Sequence, residues 1–434
     1  MKRLISILWL MVVFTLLTAC AGKPATTEAP PAVEATTPSM PPAETEAPPA
    51  GVTITFMTPP WGVPPNETLL NAFESETGIN VEVISIPMDQ LYSKVQVAAS
   101  ANQEPADVIF LTEEAPSFIV SPGFVQPLNQ FIETDPEIKV ENFDRVDFWT
   151  LDSKIYGLPS YVQLVMMDYN EAKLQEAGYT EPPKTWLELY DIAKEIKAKG
   201  VDQYPIAFGA IDWSWYLMSL SMGDPMFNEE LNPVFSQEGS KARQAMTLLI
   251  TFFTEELITP AMLSETTPHA IYMGGTGVFH QSWQGANAVM NNPDSSKQAP
   301  NVKYMLLPEE GYTWSLDAAL GISKDSDNAE AAWKFIKWYV GEANQRAIFD
   351  AYGLTPAQSA IHEALNKEGK ITGFDVIQAQ AQKVHQLPRF VPWWGPWTTK
   401  VTEQLRLAIQ GSITPDQAID AIADEWNSLK SEYE

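Results

Sequence analysis

Residues 51–111 read GVTITFMTPPWGVPPNETLLNAFESETGINVEVISIPMDQLYSKVQVAASANQEPADVIFL. Val52 to Met57 alternates and is rich in β-formers, Glu67 to Glu76 has helical spacing, and Asn80 to Ile86 (NVEVISI) alternates again at period two. Leu91 to Ala101 is helical in pattern, and Asp107 to Leu111 (DVIFL) reads as a short buried strand. This β-α-β-α-β order places the chain in the α/β class, with helices covering a sheet on both faces. Ligands of such sheets bind beyond the carboxyl ends of the strands, so the loops after Met57 and Leu111 are the first candidate sites. The first carries Pro59-Pro60-Trp61-Gly62, the second Thr112-Glu113-Glu114.

Upstream of this stretch, Met1-Lys2-Arg3 precedes an apolar run from Leu4 to Leu17, and Leu17-Thr18-Ala19-Cys20 forms a small-residue cleavage site. The run is shorter than the ~20 apolar residues that a membrane-spanning helix needs. Residues 1–20 resemble a bacterial lipoprotein signal, which implies a chain lipidated at Cys20 and anchored to a membrane by its acyl chains. Cys20 is the only cysteine, so neither a disulfide framework nor a cysteine metal site is expected. Residues 21–50 are rich in Pro, Thr, Ala and Glu without an aromatic residue, and read as a disordered tether. With 27 basic and 55 acidic residues the net charge is −28, which argues against nucleic acid or an anionic membrane surface as partner.

Downstream, residues 51–434 are long enough for two domains. Tyr169-Asn170 leads into a helix over 171–177, and Thr185 is placed to cap a helix over 186–199 that ends at Gly200. Further strands are expected at Gly277–Phe279, Val302–Leu307 and Ala318–Ile322, and helices at Ala329–Val340, 398–410 and 415–430. His269, His280, His362 and His385 are scattered without metal-ligand spacing, and no His-Glu-x-x-His or Gly-x-Ser-x-Gly is present. Gly274-Gly275-Thr276-Gly277 lacks the rest of a dinucleotide or phosphate loop. Catalysis, a cofactor and a metal are therefore not expected.

Several fragments occur in a telling order: Phe73-Glu74-x-x-Thr77-Gly78-Ile79-x-Val81, Pro105-Ala106-Asp107-Val108, Gly157-Leu158-Pro159, Tyr169-Asn170, and Pro182-Pro183-Lys184-Thr185-Trp186. Gly321-Ile322-Ser323-Lys324-Asp325-Ser326 and Ala331-Ala332-Trp333-Lys334-Phe335-Ile336 complete the set. Together they resemble extracellular solute-binding protein family 1, the carbohydrate-type receptors of ABC importers, similar to maltose-binding protein. The resemblance implies a two-lobed periplasmic-binding-protein-like fold of type II, with a ligand cleft between the lobes that closes on a solute. It implies lobe 1 at 51–158 and 308–352 and lobe 2 at 159–307 and 353–434. It also implies a monomer that delivers its solute to ABC permease subunits from outside the cytoplasm.

A sugar presents an apolar CH face and a rim of hydroxyls, so its site needs aromatic plates beside carboxylates or amides. The candidate plates are Trp61, Trp213, Trp215, Trp283, Trp314, Trp394 and Trp397. By resemblance, Trp283 sits where the family commonly stacks a ring, and Trp394 or Trp397 lies in a C-terminal stretch where the family also places a tryptophan. Trp186, Trp333, Trp338 and Trp426 have apolar neighbours at helical spacing and read as core. Polar candidates are Glu113, Glu114, Asp212, Gln281 and Asp317, with Tyr161 and Gln163 just past the first lobe crossing. Acids converging without a basic partner would instead favour a cationic solute, such as a polyamine or amino sugar. A carbohydrate-active enzyme is the more distant alternative.

Overall fold

The computed structural model describes residues 51–101, 103–263 and 269–433. The signal, Cys20 and the tether of residues 21–50 lie outside the described residues. In chain order the strands are β1 (Val52–Thr58), β2 (Ile79–Ser85), β3 (Val108–Thr112), β4 (Val125–Gln126), β5 (Thr150–Leu151), β6 (Lys154–Ile155) and β7 (Leu158–Asn170). They continue as β8 (Ile206–Ala207), β9 (Phe279–Trp283), β10 (Val302–Met305) and β11 (Ser315–Ser323). Nine of them join in one sheet of order β2-β1-β3-β11-β7-β9-β8, with β10 added on β7 and β4 on β11.

The opening stretch folds as its periodicity predicts. β1 pairs in parallel with β2 from Val52↔Ile79 to Thr58↔Ser85, and with β3 at Phe56↔Val108 and Met57↔Ile109. The intervening helix Glu67–Thr77 is capped by the Asn66 side chain, which accepts from Leu69 N, and ends at Gly78 with φ 69°. The second helix runs from Met88 to Ser100. Thr185 caps Trp186–Lys199 by accepting from Glu188 N, and Gly200 closes that helix in the left-handed region.

Two differences change the architecture. The strand expected at Gly277–Phe279 lies at Phe279–Trp283, because Gly277 has φ 105° and forms the turn that enters it. More consequentially, Leu158–Asn170 is one long strand where the sequence marks only a crossing at Leu158-Pro159. Its first half pairs antiparallel with β11, from Leu158↔Leu320 to Leu164↔Ser315. Its second half pairs with β9 on one edge and β10 on the other.

Two hydrophobic cores form along this sheet. One gathers Ile54, Phe56, Val108–Leu111, Phe335 and Tyr339, and reaches Leu158 and Tyr161 on β7. The other gathers Leu164–Met167, Trp186, Trp215–Met218, Phe252, Trp394, Trp397 and Trp426. Core membership thus changes within β7 between Tyr161 and Leu164, and again between Trp314 and Ala318 at β11. Among the described residues no helix is long and apolar enough to cross a membrane.

Candidate functional site

Between the two cores lies a cavity of about 500 Å³. Trp61, Met88, Tyr161, Tyr352 and Leu354 face it from the first core, and Val165, Trp213, Trp283 and Leu316 from the second. Tyr161, Gln163 and Val165 alternate along β7 and so present one face of that strand to the cavity.

On the first side, β1 ends at Thr58 and Pro59-Pro60 turns the chain into a single 3₁₀ turn, Pro60–Gly62, that carries Trp61. Gly62 permits the close packing this turn requires, since a Cβ there would stand 2.0 Å from Thr58 Oγ1 and 2.8 Å from the Phe110 ring. The Tyr339 hydroxyl donates to Gly62 O at 2.8 Å and the Tyr352 hydroxyl to Val63 O at 3.1 Å, which holds the loop against its own core. At the end of β3, Glu113 is buried and Glu114 half-buried. Both strand ends singled out by the α/β pattern therefore meet at this cavity.

On the second side, helix Ile211–Ser221 carries Trp213 and Trp215. At 3.6 residues per turn, side chains two apart diverge by about 200°. Trp213 accordingly faces the cavity, while Trp215 is fully buried and donates its indole N–H to Ala242 O at 3.0 Å. Ser214 donates to Gln281 Oε1 at 2.8 Å, which leaves the Gln281 amide N–H₂ as a donor in the wall. Gln163 is occupied at both ends: its Nε2 donates to Gly353 O at 3.2 Å and its Oε1 accepts from Thr355 Oγ1 at 3.4 Å.

The charge at the site is organised by Arg389. Its Nη2 lies 2.9 Å from Glu113 Oε1 and 2.9 Å from Glu114 Oε1, and its guanidinium is 5.0 Å from the centroid of the Trp213 ring. Burial works against the Arg389 charge, but Glu113 and Glu114 outweigh it and hold the group protonated. Burial pushes the Glu113 carboxyl up to about 7; Arg389 opposes this and Glu114 adds to it. Asp212 is likewise pushed up to about 6, mainly by burial. Arg389 Nε and Nη1, Ser282 Oγ and Trp283 Nε1 are buried without a hydrogen-bond partner among the described residues. All three residues line the cavity.

Two of the histidines, far from metal-ligand spacing in the sequence, meet beside Trp283. His269 Nδ1 lies 3.0 Å from His280 Nε2, and His280 Nδ1 lies 3.1 Å from Asp168 Oδ1. His269 lines the cavity with its ring centroid 4.5 Å from that of Trp283, edge to face. Burial, and then the neighbouring His280, hold His269 well below the ordinary histidine range. Among the described residues no group of three or more His, Cys, Asp or Glu is arranged to hold a metal ion.

A sequence model described as "Bacterial extracellular solute-binding protein" matches residues 66–346, more than half of the chain. The chain belongs to this family. Among relatives, the solute-binding protein is 24% identical over 311 residues to the diacetylchitobiose-binding protein DasA of Streptomyces coelicolor, covering 68% of this chain and 71% of that one. It is 22% identical over 376 residues to the galactooligosaccharide-binding protein of Bacillus subtilis, covering 81% and 83%. The structure superposes on maltose-bound T. maritima MalE3 with a TM-score of 0.76 at 21% identity, covering 87% of this chain and 100% of that one.

Of the fourteen ligand candidates in this solute-binding protein, eight line the cavity: Trp61, Glu113, Glu114, Tyr161, Gln163, Trp213, Gln281 and Trp283. The other six are placed elsewhere. Trp215 and Trp397 are fully buried with their indole N–H groups spent on backbone carbonyls, Trp397 on Ile422 O at 3.0 Å. Trp394 packs on Tyr216, Trp397 and Trp426 in the second core, and Trp314 stands behind Trp213, edge to face at 5.7 Å. Asp317 is fully buried and takes Arg145 Nε at 3.0 Å, while Asp212 lies outside the lining and feels the Arg389 charge. The acid pair that would favour a cationic guest does have a basic partner, Arg389. Sequence reasoning missed it, although Arg389 is the only formally charged residue between Lys383 and Lys400, in the aromatic run LPRFVPWWGPW.

Proposed function

We propose that this protein is the receptor of an ABC importer, closing around a sugar or oligosaccharide between two lobes and passing it to membrane permease subunits. The observation that carries this reading is the wall itself. The indoles of Trp61, Trp213 and Trp283 share one cavity with a rim of amide, carboxylate and guanidinium groups, the pairing of flat apolar faces and edge hydrogen bonds that a sugar ring needs. The names of its relatives, which bind diacetylchitobiose, galactooligosaccharide and maltose, support the same class of solute. The lobes are proposed as 51–158 with 308–352 and 159–307 with 353–434; the change of core between Tyr161 and Leu164 supports the first crossing, whereas the change between Trp314 and Ala318 lies seven or more residues past the second bound. Lipidation at Cys20 and the tether of residues 21–50 would hold a monomeric receptor beside its permease on the outer face of the membrane.

Arg389 pairs with both acids, so they are not the partnerless carboxylates that would favour a polyamine over a neutral sugar. The test is a titration followed by tryptophan fluorescence and calorimetry, with maltose, diacetylchitobiose and galactooligosaccharides as ligands and putrescine and amino acids as controls. Saturable binding of at least one sugar at micromolar affinity is expected. A response to putrescine alone would overturn the carbohydrate reading.

A further inference from the structure

The hydrogen-bond chain that runs from the second core to the cavity has a direction. A carboxylate only accepts, so Asp168 Oδ1 must receive its hydrogen from His280 Nδ1. With His280 neutral, its imidazole carries one N–H, and its Nε2 is then a lone pair that accepts from His269 Nδ1. His269 in turn has no hydrogen left for its Nε2. The inner joint is fixed: Asp168 and His280 are cross-strand partners of β7 and β9, and the Tyr272 ring stacks on His280 at 4.2 Å and 4°.

We infer that Asp168 and His280 hold His269 in a single tautomer whose unprotonated Nε2 is a lone-pair acceptor in the cavity wall, selecting solutes that present a hydroxyl or other donor beside Trp283. The inference rests on the carbohydrate reading for its ligand, and it adds a fixed acceptor to that reading. Of the unpartnered polar atoms in the lining, those of Arg389 and Trp283 are donors, and Ser282 Oγ can donate or accept. The acceptors are mostly committed: Gln281 Oε1 to Ser214, Gln163 Oε1 to Thr355, and one oxygen each of Glu113 and Glu114 to Arg389. A sugar hydroxyl must donate its hydrogen as well as accept one, and His269 supplies an acceptor next to a stacking face. His269 is the proposed ligand contact; Asp168 and His280 are positioning residues acting through it.

Long-range ¹H–¹⁵N correlation spectra of the ligand-free, histidine-labelled protein decide the tautomer, with His269 assigned by the signals lost in His269→Phe. The expected result is a pyridine-like Nε2 and a pyrrole-like Nδ1 at His269, with Asp168→Asn, which can donate or accept, mixing the two forms. A pyrrole-like Nε2 in the native protein would overturn the inference. For whichever of maltose, diacetylchitobiose or galactooligosaccharide the native protein binds, His269→Phe should cost about tenfold in affinity. His269→Gln, whose amide retains an acceptor, should recover most of it. Unchanged affinity in His269→Phe, or equal losses in both variants, would also sink the idea. If the native protein binds none of these sugars, the carbohydrate reading fails while the spectrum still settles the tautomer.

Discussion

Burial pushes the Glu113 carboxyl up to about 7 even with Arg389 at 2.9 Å. In the unfolded chain the same group ionises near ~4.3, so between these values the folded protein holds a proton that the unfolded chain has lost. Stability therefore falls as pH rises through that window, and the loss is complete above the folded value. Glu113→Gln has no proton to lose. Its stability relative to the native protein should increase from pH 5 to pH 8 by on the order of 3 kcal/mol, measured by chemical denaturation at both pH values. Asp212, raised to about 6, titrates in the same direction but is common to both proteins and cancels. Trp283 tests the site from the other side. Trp283→Ala should weaken sugar binding by roughly 1–3 kcal/mol while leaving the fold intact, and an unchanged dissociation constant by calorimetry would remove it from the site.

Trp215 and Trp397 show why element geometry matters more than tryptophan count. Both are fully buried in helices of the second core, so Trp397→Ala should cost about 3–5 kcal/mol of unfolding free energy, against little for the cavity residue Trp283. Comparable unfolding midpoints for the two variants would contradict this division. The helix Ile211–Ser221 was illegible in sequence because nine of its eleven residues are buried, leaving no polar face to set a period, and its aromatic density read as binding plates. β7 was illegible for the related reason that a strand buried on both faces does not alternate, and Pro159 near its start reads as a breaker. By contrast, β1 and β2 have faces of unequal exposure, and the caps at Asn66 and Thr185 are local, so that part of the fold was readable. The site was legible where it followed a strand end, at Trp61 and Glu113. It was not at Arg389, whose partners lie some 275 residues away in the chain.

For the molecule as a whole, β7 and β11 carry the backbone from one core to the other, and the third crossing is laced to them. Val162 N donates to Thr355 O at 3.2 Å and Ala357 N to Ser160 O at 3.1 Å. If the proposed lobes close about these crossings, a bound sugar should shift the population toward a more compact form. Small-angle scattering should then record a smaller radius of gyration on adding a saturating sugar, and identical curves with and without it would contradict closure. The same topology bears on how the chain is made. β3, buried along its whole length, has β1 on one edge and β11 on the other, with Thr112 opposite Ala318 about 200 residues later. At ribosomal speeds of ~5–20 residues per second, β3 waits on the order of 10–40 s for that neighbour. For that interval the nascent chain lacks a strand of its first core, so this core cannot be completed before the second core's residues up to Trp314 have been made.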